Sequence, residues 1–529
     1  MKRQTARNAA ILSLKTERPR DKMITPRFTI TQSDSSLTVT IYAPFTNVAD
    51  TEVFMEERDF RFFSKPYFLR LHLPGEVHET DDAAAKYDAD TRSFVVTVPK
   101  KNKGEVFRGL DMLTELLRPR DDGGAAAAGI EEVGGGYSAP GEEDEEEIDW
   151  YFEQQIPEGE DERESSKLGA GGGDGYGFAF AQSGVFSRLR EEAAEILDVK
   201  NPDELTAAQR REVRTEMESA CFDPDHYLCD LFESDEVLRL AGNKSLWRKV
   251  LDREVPEGTA FSDKDRERMM ALPKRVPLVE KAELNSVYFG LVDILFGCCY
   301  DARVNEGERC AESAWNVAKL SPTLSCCERH ASLRECVAAS VRRSLCFPLY
   351  RHFGLALAVL GDVAAVLRLG RAAVVGQLLE AAALMADEGR HVLNQLYLEP
   401  YAAWAQRVDE RRLQSLAEAL EAEAGRLTKA DLELELEETE EAARLTLAEE
   451  EEAEVARKLQ GMDLGKRVAD GDSDDDTSSS SGSSSTGSSS GSDSSDEEDV
   501  EKDGAESEKA NECRQDEKDT SIHKTPAKA

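Results

Sequence analysis

Histidine is scarce: the 529 residues hold seven, and none stands in a G-x-S-x-G, H-E-x-x-H or local Cys–His signature. A phosphate loop is missing as well. The glycine run GAGGGDG (169–175) lies in a Gly-rich, acidic stretch, not between a strand and a helix where backbone amides cradle an anion. These two absences argue against an enzyme. Positive charge is short too, 66 Lys and Arg against 106 Asp and Glu, for a net charge of −40. A field of that sign repels nucleic acid and anionic membrane and draws basic partners. The apolar run FGLALAVLG (353–361) is broken by Asp362 and Arg368, well under the roughly 20 residues of a membrane span. The ten cysteines include the adjacent pairs Cys298–Cys299 and Cys326–Cys327 and form no evenly spaced framework, which fits reduced thiols better than a disulfide scaffold. Neither Cys298, Cys299, Cys310, Cys326, Cys327 and His330 nor Cys221, His226 and Cys229 contains a C-x-x-C knuckle, so no metal or cofactor is expected.

What is present divides the chain. Residues 1–22 are basic: a transit peptide or nuclear-import element is one reading, and a disordered leader, or an upstream start codon with the fold beginning near Met23, is the one preferred. From 23 to 118 the period is two: RFTITQS, SLTVTIYA, TEVFMEE, DFRFFS, YFLRLHL and RSFVVTVP alternate between turn-forming stretches, which predicts an antiparallel β-sandwich with Leu37, Val39 and Ile41 inside. Residues 119–175 are Gly-rich and acidic and read as a disordered linker, interrupted by EIDWYFEQQIP (147–157). That island is a docking motif, a strand pinned onto a neighbouring domain, or a chance pattern of the kind any short motif can be.

Residues 176–465 have a helical period. Ser183 is a plausible cap, Asp223-Pro224-Asp225 opens a helix with the stripe Tyr227, Leu228, Leu231 and Phe232, and Thr428 with Asp431 forms a capping-box start. LNSVYFGLVDILFGCC, CVAASVRRSLCFPLYRHFGLALAVLGDVAAVLRL and AAVVGQLLEAAALM are too apolar all round to be surface helices, so a large all-α domain is expected. Leu413, Leu416 and Leu420 share one face and would suit a short coiled coil. Residues 466–529 are Ser, Asp and Glu-rich and expected to be disordered; Ser473, Ser494 and Ser495 each have an acid three residues on and are candidates for phosphorylation.

Directly after the most apolar helix comes YDARVNEGERCAESAWNVAKLSPTL (300–324). With enzyme and metal chemistry disfavoured, a surface for another macromolecule is the remaining reading of Tyr300, Asp301, Arg303, Glu306 and Glu308, with the acids on a loop. A plain surface ion network, with Ser313 as a cap and Trp315 as core, is the competing one.

The segments MITPRFTITQ, SLTVTIYAPF, VFMEERDFRFFSKPYFLRLHLPGEV, YDADTRSFVVTVPK and GLDMLTELL resemble the CS domain that opens the Shq family of H/ACA ribonucleoprotein assembly chaperones. YGF (176–178), SGVFSRL (183–189), FDPDHYL (222–228), the 300–324 segment, CFPLYRHF (346–353) and LTKADLELELEE are similar to the family's helical domain, in order. The resemblance implies a chaperone that occupies the RNA-binding surface of a dyskerin-type pseudouridine synthase, acts in the nucleoplasm with possible shuttling to the cytoplasm, and is released by AAA-type ATPases. It adds Asp223, Asp225, His226, Tyr227, Ser313, Trp315, Tyr350, Arg351 and His352 to the docking candidates. A monomer that binds neither nucleic acid nor membrane directly is expected. A general co-chaperone of the heat-shock machinery, or an acidic chaperone of basic proteins, would share the composition.

Overall fold

The computed structural model describes residues 23–44, 46, 51–78, 85–88, 91–119, 150–151, 173–232, 234–255 and 261–467. The leader, most of the linker, Ser473, Ser494 and Ser495 lie outside them. The sandwich and the helices up to Ala453 form one compact unit.

Alternation builds the sandwich as expected. One sheet has the order β1 (Arg27–Gln32), β2 (Ser36–Tyr42), β7 (Ser93–Pro99), β6 (Ala85–Asp88); the other runs β3 (Glu52–Glu56), β4 (Asp59–Ser64), β5 (Tyr67–His72), every pair antiparallel. The inward set Leu37, Val39 and Ile41 is fully buried, against Phe60, Phe62, Leu69 and Leu71 of the facing sheet. A shift of register by one residue would turn the threonines of β2 into that core, so the pattern fixes the pairing.

A short helix α1 (Leu113–Leu116) leaves the sandwich and docks on the helical domain. There Thr114 Oγ1 donates to the carbonyl of Met269 at 2.6 Å, and Gln406 both accepts from the Thr114 amide and donates to its hydroxyl, at 3.1 and 3.0 Å. The helical domain begins with α2 (Arg190–Ile196), α3 (Ala207–Cys221), α4 (Pro224–Phe232), α5 (Asp235–Gly242), α6 (Leu246–Leu251) and α7 (Asp263–Ala271). Ser183 is not the cap of α2. Gly184 has φ +70°, which ends any helix at that point, and Asp203 takes the amides of Gly184 and Ser187 at 2.5 and 2.7 Å. Asp223 does cap α4, accepting from the His226 amide at 3.2 Å.

The second half holds α8 (Leu284–Val304), α9 (Ser313–Leu320), α10 (Pro322–Cys326), α11 (Leu333–Cys346), α12 (Phe353–Arg368), α13 (Arg371–Asp387), α14 (Glu399–Ala405), α15 (Glu410–Arg426) and α16 (Leu436–Arg467). Helix α8 is the axis of the domain: Asn285 to Asp301 are buried without a break, with α9, α11 and α12 around it. Together with the turn before it, the helix is long and apolar enough to cross a membrane, but 89% of that apolar window is buried against the other helices. Leu413, Leu416 and Leu420 are likewise buried, facing α12 within the domain rather than a coiled-coil partner. The capping box of Thr428 and Asp431 is present and starts a short 3-10 turn.

The linker island pins back through its tryptophan, in a turn rather than a strand. Trp150 is 3% exposed, donates from Nε1 to Ser415 Oγ at 2.9 Å, and stands edge-on to Tyr288 with ring centroids 5.1 Å apart. The nine described cysteines are free. Burial pushes the Cys326 thiol up to about 12 and the Cys327 thiol up to about 11, so both behave as small apolar groups.

Candidate functional site

The 300–315 segment is a loop only from Asn305 to Glu312. Helix α8 continues through Val304 and carries Tyr300, Asp301 and Arg303 into the interior. Asp301 accepts from Asn305 Nδ2 and Asn316 Nδ2 at 2.7 and 2.9 Å. Burial raises its carboxyl above the ordinary value, against the hydrogen bonds that favour the charged form. Arg303 joins Nε and Nη2 to Asp362 Oδ2, each at 2.7 Å, and gives Nη1 to the carbonyls of Leu240 and Asn243. Asp362, the residue that breaks the apolar run of α12, is thus the counter-ion of Arg303. The sequence expectation of exposed docking groups is corrected here for Asp301 and Arg303: their polar atoms hold α5, α8, α9 and α12 together.

The exposed part starts at the end of α8. The amide of Gly307 donates to the carbonyl of Ala302 at 2.8 Å and that of Glu306 to Arg303 at 3.4 Å, a Schellman closure in which Glu306 stands at φ +53°. A glycine would take that position without strain. Glu306 is exposed and pairs with Arg239 at 2.7 Å, and Arg239 also holds Glu236 at 2.6 Å. Glu308 and Glu312 are exposed beside it. Arg309 is paired with Glu380 and lies 3.5 Å from Asp387. Ser313 is buried and its Oγ accepts from the Cys310 amide at 3.0 Å; Trp315 is half-buried. The acidic rim therefore consists of Glu306, Glu308 and Glu312 with Glu236, Glu380 and Asp387 from other elements.

A second set of candidates, scattered in sequence, is brought together. His226 Nε2 lies 2.9 Å from the Leu349 carbonyl and 3.5 Å from Asp230. Asp230 accepts from the Arg351 amide at 2.6 Å, and Tyr300 donates its hydroxyl to the Tyr350 carbonyl at 2.8 Å. His352 Nδ1 accepts from the Leu355 amide at 3.1 Å and caps α12. Tyr227 is fully buried and donates to Glu440 at 2.6 Å, anchoring the first turns of α16. Burial and the Glu440 charge push the Tyr227 hydroxyl above its ordinary value. Asp223, Asp225 and Leu349 face solvent, the last 67% exposed. The loop at 347–352 is thus tied to α4 and α8, presenting Leu349 next to acids. Asp230, Leu349, Arg239, Glu380 and Asp387 escaped the sequence reading because their roles depend on partners 67 to 123 residues away.

Known proteins align with both halves. The family described as "SHQ1-like, CS domain" matches residues 25–117, and "SHQ1 protein, Shq1 domain" matches residues 251–436. Protein SHQ1 homolog of Xenopus tropicalis is 38% identical over 442 residues, spanning 82% of this chain and 72% of its own. The mouse (Mus musculus) homolog is 38% identical over 443 residues, 81% of this chain and 76% of its own. Protein shq1 of Schizosaccharomyces pombe is 30% identical over 458 residues, 82% of this chain and all of its own. With the sandwich and the helical domain both matched in order, the chain belongs to the SHQ1 family.

Proposed function

We propose that the protein is an assembly chaperone of box H/ACA small nucleolar ribonucleoproteins, not an enzyme: it holds a dyskerin-type pseudouridine synthase by covering its RNA-binding surface until guide RNA arrives. Family membership across both domains carries this reading. The acidic rim supports it, since Glu306, Glu308 and Glu312 offer carboxylates to lysines and arginines that otherwise meet phosphates. Action in the nucleoplasm and release by AAA-type ATPases belong to the same proposal. A CS fold alone does not make a heat-shock co-chaperone, because fold does not fix function.

The test is competition. The full chain, immobilised, should capture the purified synthase and lose it to saturating guide RNA. Retention of the synthase beside bound RNA would rule out shared occupancy of one surface. Capture of the large heat-shock chaperone in its place would favour the co-chaperone reading.

A further inference from the structure

Beneath α3, and apart from the acidic rim, three potential ligands converge: a ligand atom each from Glu328, His330 and Glu335, all within 4.8 Å of one another. His330 and Glu328 are buried, and Glu335 is half-buried at the start of α11. The imidazole is held from behind. Its Nε2 lies 2.7 Å from Asp293 Oδ2, and Asp293 in turn accepts from the Thr323 amide at 3.1 Å, the Thr323 hydroxyl at 2.6 Å and Ser321. An ionised carboxylate only accepts, so Nε2 carries the hydrogen. That leaves Nδ1 as the ring nitrogen with a lone pair, and among the described residues it has no hydrogen-bond partner.

Ligand atoms of an imidazole and two carboxylates held within 4.8 Å of one another repel each other unless positive charge stands among them. Carboxylate behind, imidazole between and ion in front is the arrangement that fixes the tautomer of metal-bound histidines. Two carboxylates and an imidazole suit zinc, and bonds of about 2.0–2.2 Å would draw the three ligand atoms closer together than the 4.8 Å within which they now lie. Arg211 now supplies part of the positive charge, with Nε 3.2 Å from Glu328 and 2.5 Å from Glu335. Its side chain is 30% exposed and its other hold is one bond to the Arg329 carbonyl at 2.8 Å, so it has solvent to swing into. Arg214 stays on the other oxygen of Glu328 at 3.0 Å.

We propose that Glu328, His330 and Glu335 form a zinc site, with Asp293 orienting His330 and Arg211 as the side chain the ion displaces. Bound zinc ties the 328–335 turn to α8 through Asp293, closing the helical domain without any thiolate.

The probe is Co2+ added to the full chain after chelator treatment, under reducing conditions. One equivalent should give visible d–d bands without the near-ultraviolet thiolate band, and zinc should abolish them. Glu335→Gln should weaken binding about tenfold or more, and Arg211→Gln should tighten it about tenfold by removing a competing charge. Should Glu335→Gln fail to fold by circular dichroism, Arg211→Gln decides alone. No Co2+ uptake, a thiolate spectrum, or affinity unchanged in Arg211→Gln would each overturn the site. Protonation of both His330 nitrogens by NMR at neutral pH with zinc present would do the same.

Discussion

Replacing Asp362 by asparagine keeps the shape and removes the charge that Arg303 faces. Asp362 is fully buried and the Arg303 side chain is 4% exposed, so neither water nor salt screens the pair. Arg248 approaches Asp362 Oδ1 only to 3.4 Å and is 45% exposed, so it turns to solvent at small cost. Arg303 cannot. Removing one partner of a buried ion pair costs about 3–5 kcal/mol, and the lower end applies because the carbonyls of Leu240 and Asn243 still accept from Nη1 at 2.6 and 2.8 Å. At about 2–4 °C per kcal/mol for a domain of this size, the thermal midpoint should fall by roughly 6–12 °C. The assay is thermal unfolding by far-ultraviolet circular dichroism of wild type, Asp362→Asn, Arg303→Met and the double variant. The double variant should cost less than the two singles combined by about 1–3 kcal/mol, since the second change removes the charge the first one stranded. A fall under about 3 °C for Asp362→Asn, or strict additivity, would refute the view that Arg303 is structural and would return it to the docking surface.

Charge reversal on the rim should behave in the opposite way. Glu306→Lys with Glu308→Lys removes one exposed pair, worth under about 1 kcal/mol of stability, yet should weaken synthase capture by several kcal/mol; normal binding by titration calorimetry would clear these acids of the role. Trp150→Ala should leave the circular dichroism intact while losing about 3 kcal/mol of local packing; hydrogen exchange around Tyr288 and Ser415 no faster than wild type would show that the strap is not held by this ring. His352 gives a pH dependence whose sign follows from its cap. Burial, with Lys429 adding to it, lowers its pKa below 6.5 despite Asp230 and Glu440. The folded value lies below the unfolded one, so this contribution is complete above 6.5 and is lost as pH falls through that value toward the folded one. His352→Asn, which caps without titrating, should flatten the fall in thermal midpoint between about pH 7.5 and about pH 5.5; an unchanged slope would place the sensitivity elsewhere.

The sandwich was legible because a period of two carries both the element and its buried face, as in Leu37, Val39 and Ile41. Asp223 and the Thr428–Asp431 box were legible because caps are local chemistry. The 300–315 segment misled for the converse reason. Asp301 and Arg303 look solvent-bound in sequence, and only the return of α12 places Asp362 against Arg303, 59 residues on. Ser183 failed as a cap because Asp203, distant from it in sequence, claims the neighbouring amides. His330 was considered with the cysteines beside it, whereas the residues it meets are carboxylates from α8, α11 and its own turn. Pairs that close over long separations leave no periodic trace.

Thr114 and Trp150 are both fastened to the helical domain, which makes the chain between them a tethered segment with two fixed ends. For such a segment the closure entropy grows with the logarithm of its length, about 0.6 kcal/mol for each doubling. Lengthening residues 120–149 by a dozen glycines and serines therefore perturbs folding less than losing either anchor does. The sandwich keeps its seat through α1 whatever the tether's length, so a tag or recognition peptide added there should leave the sandwich docked at little thermodynamic cost.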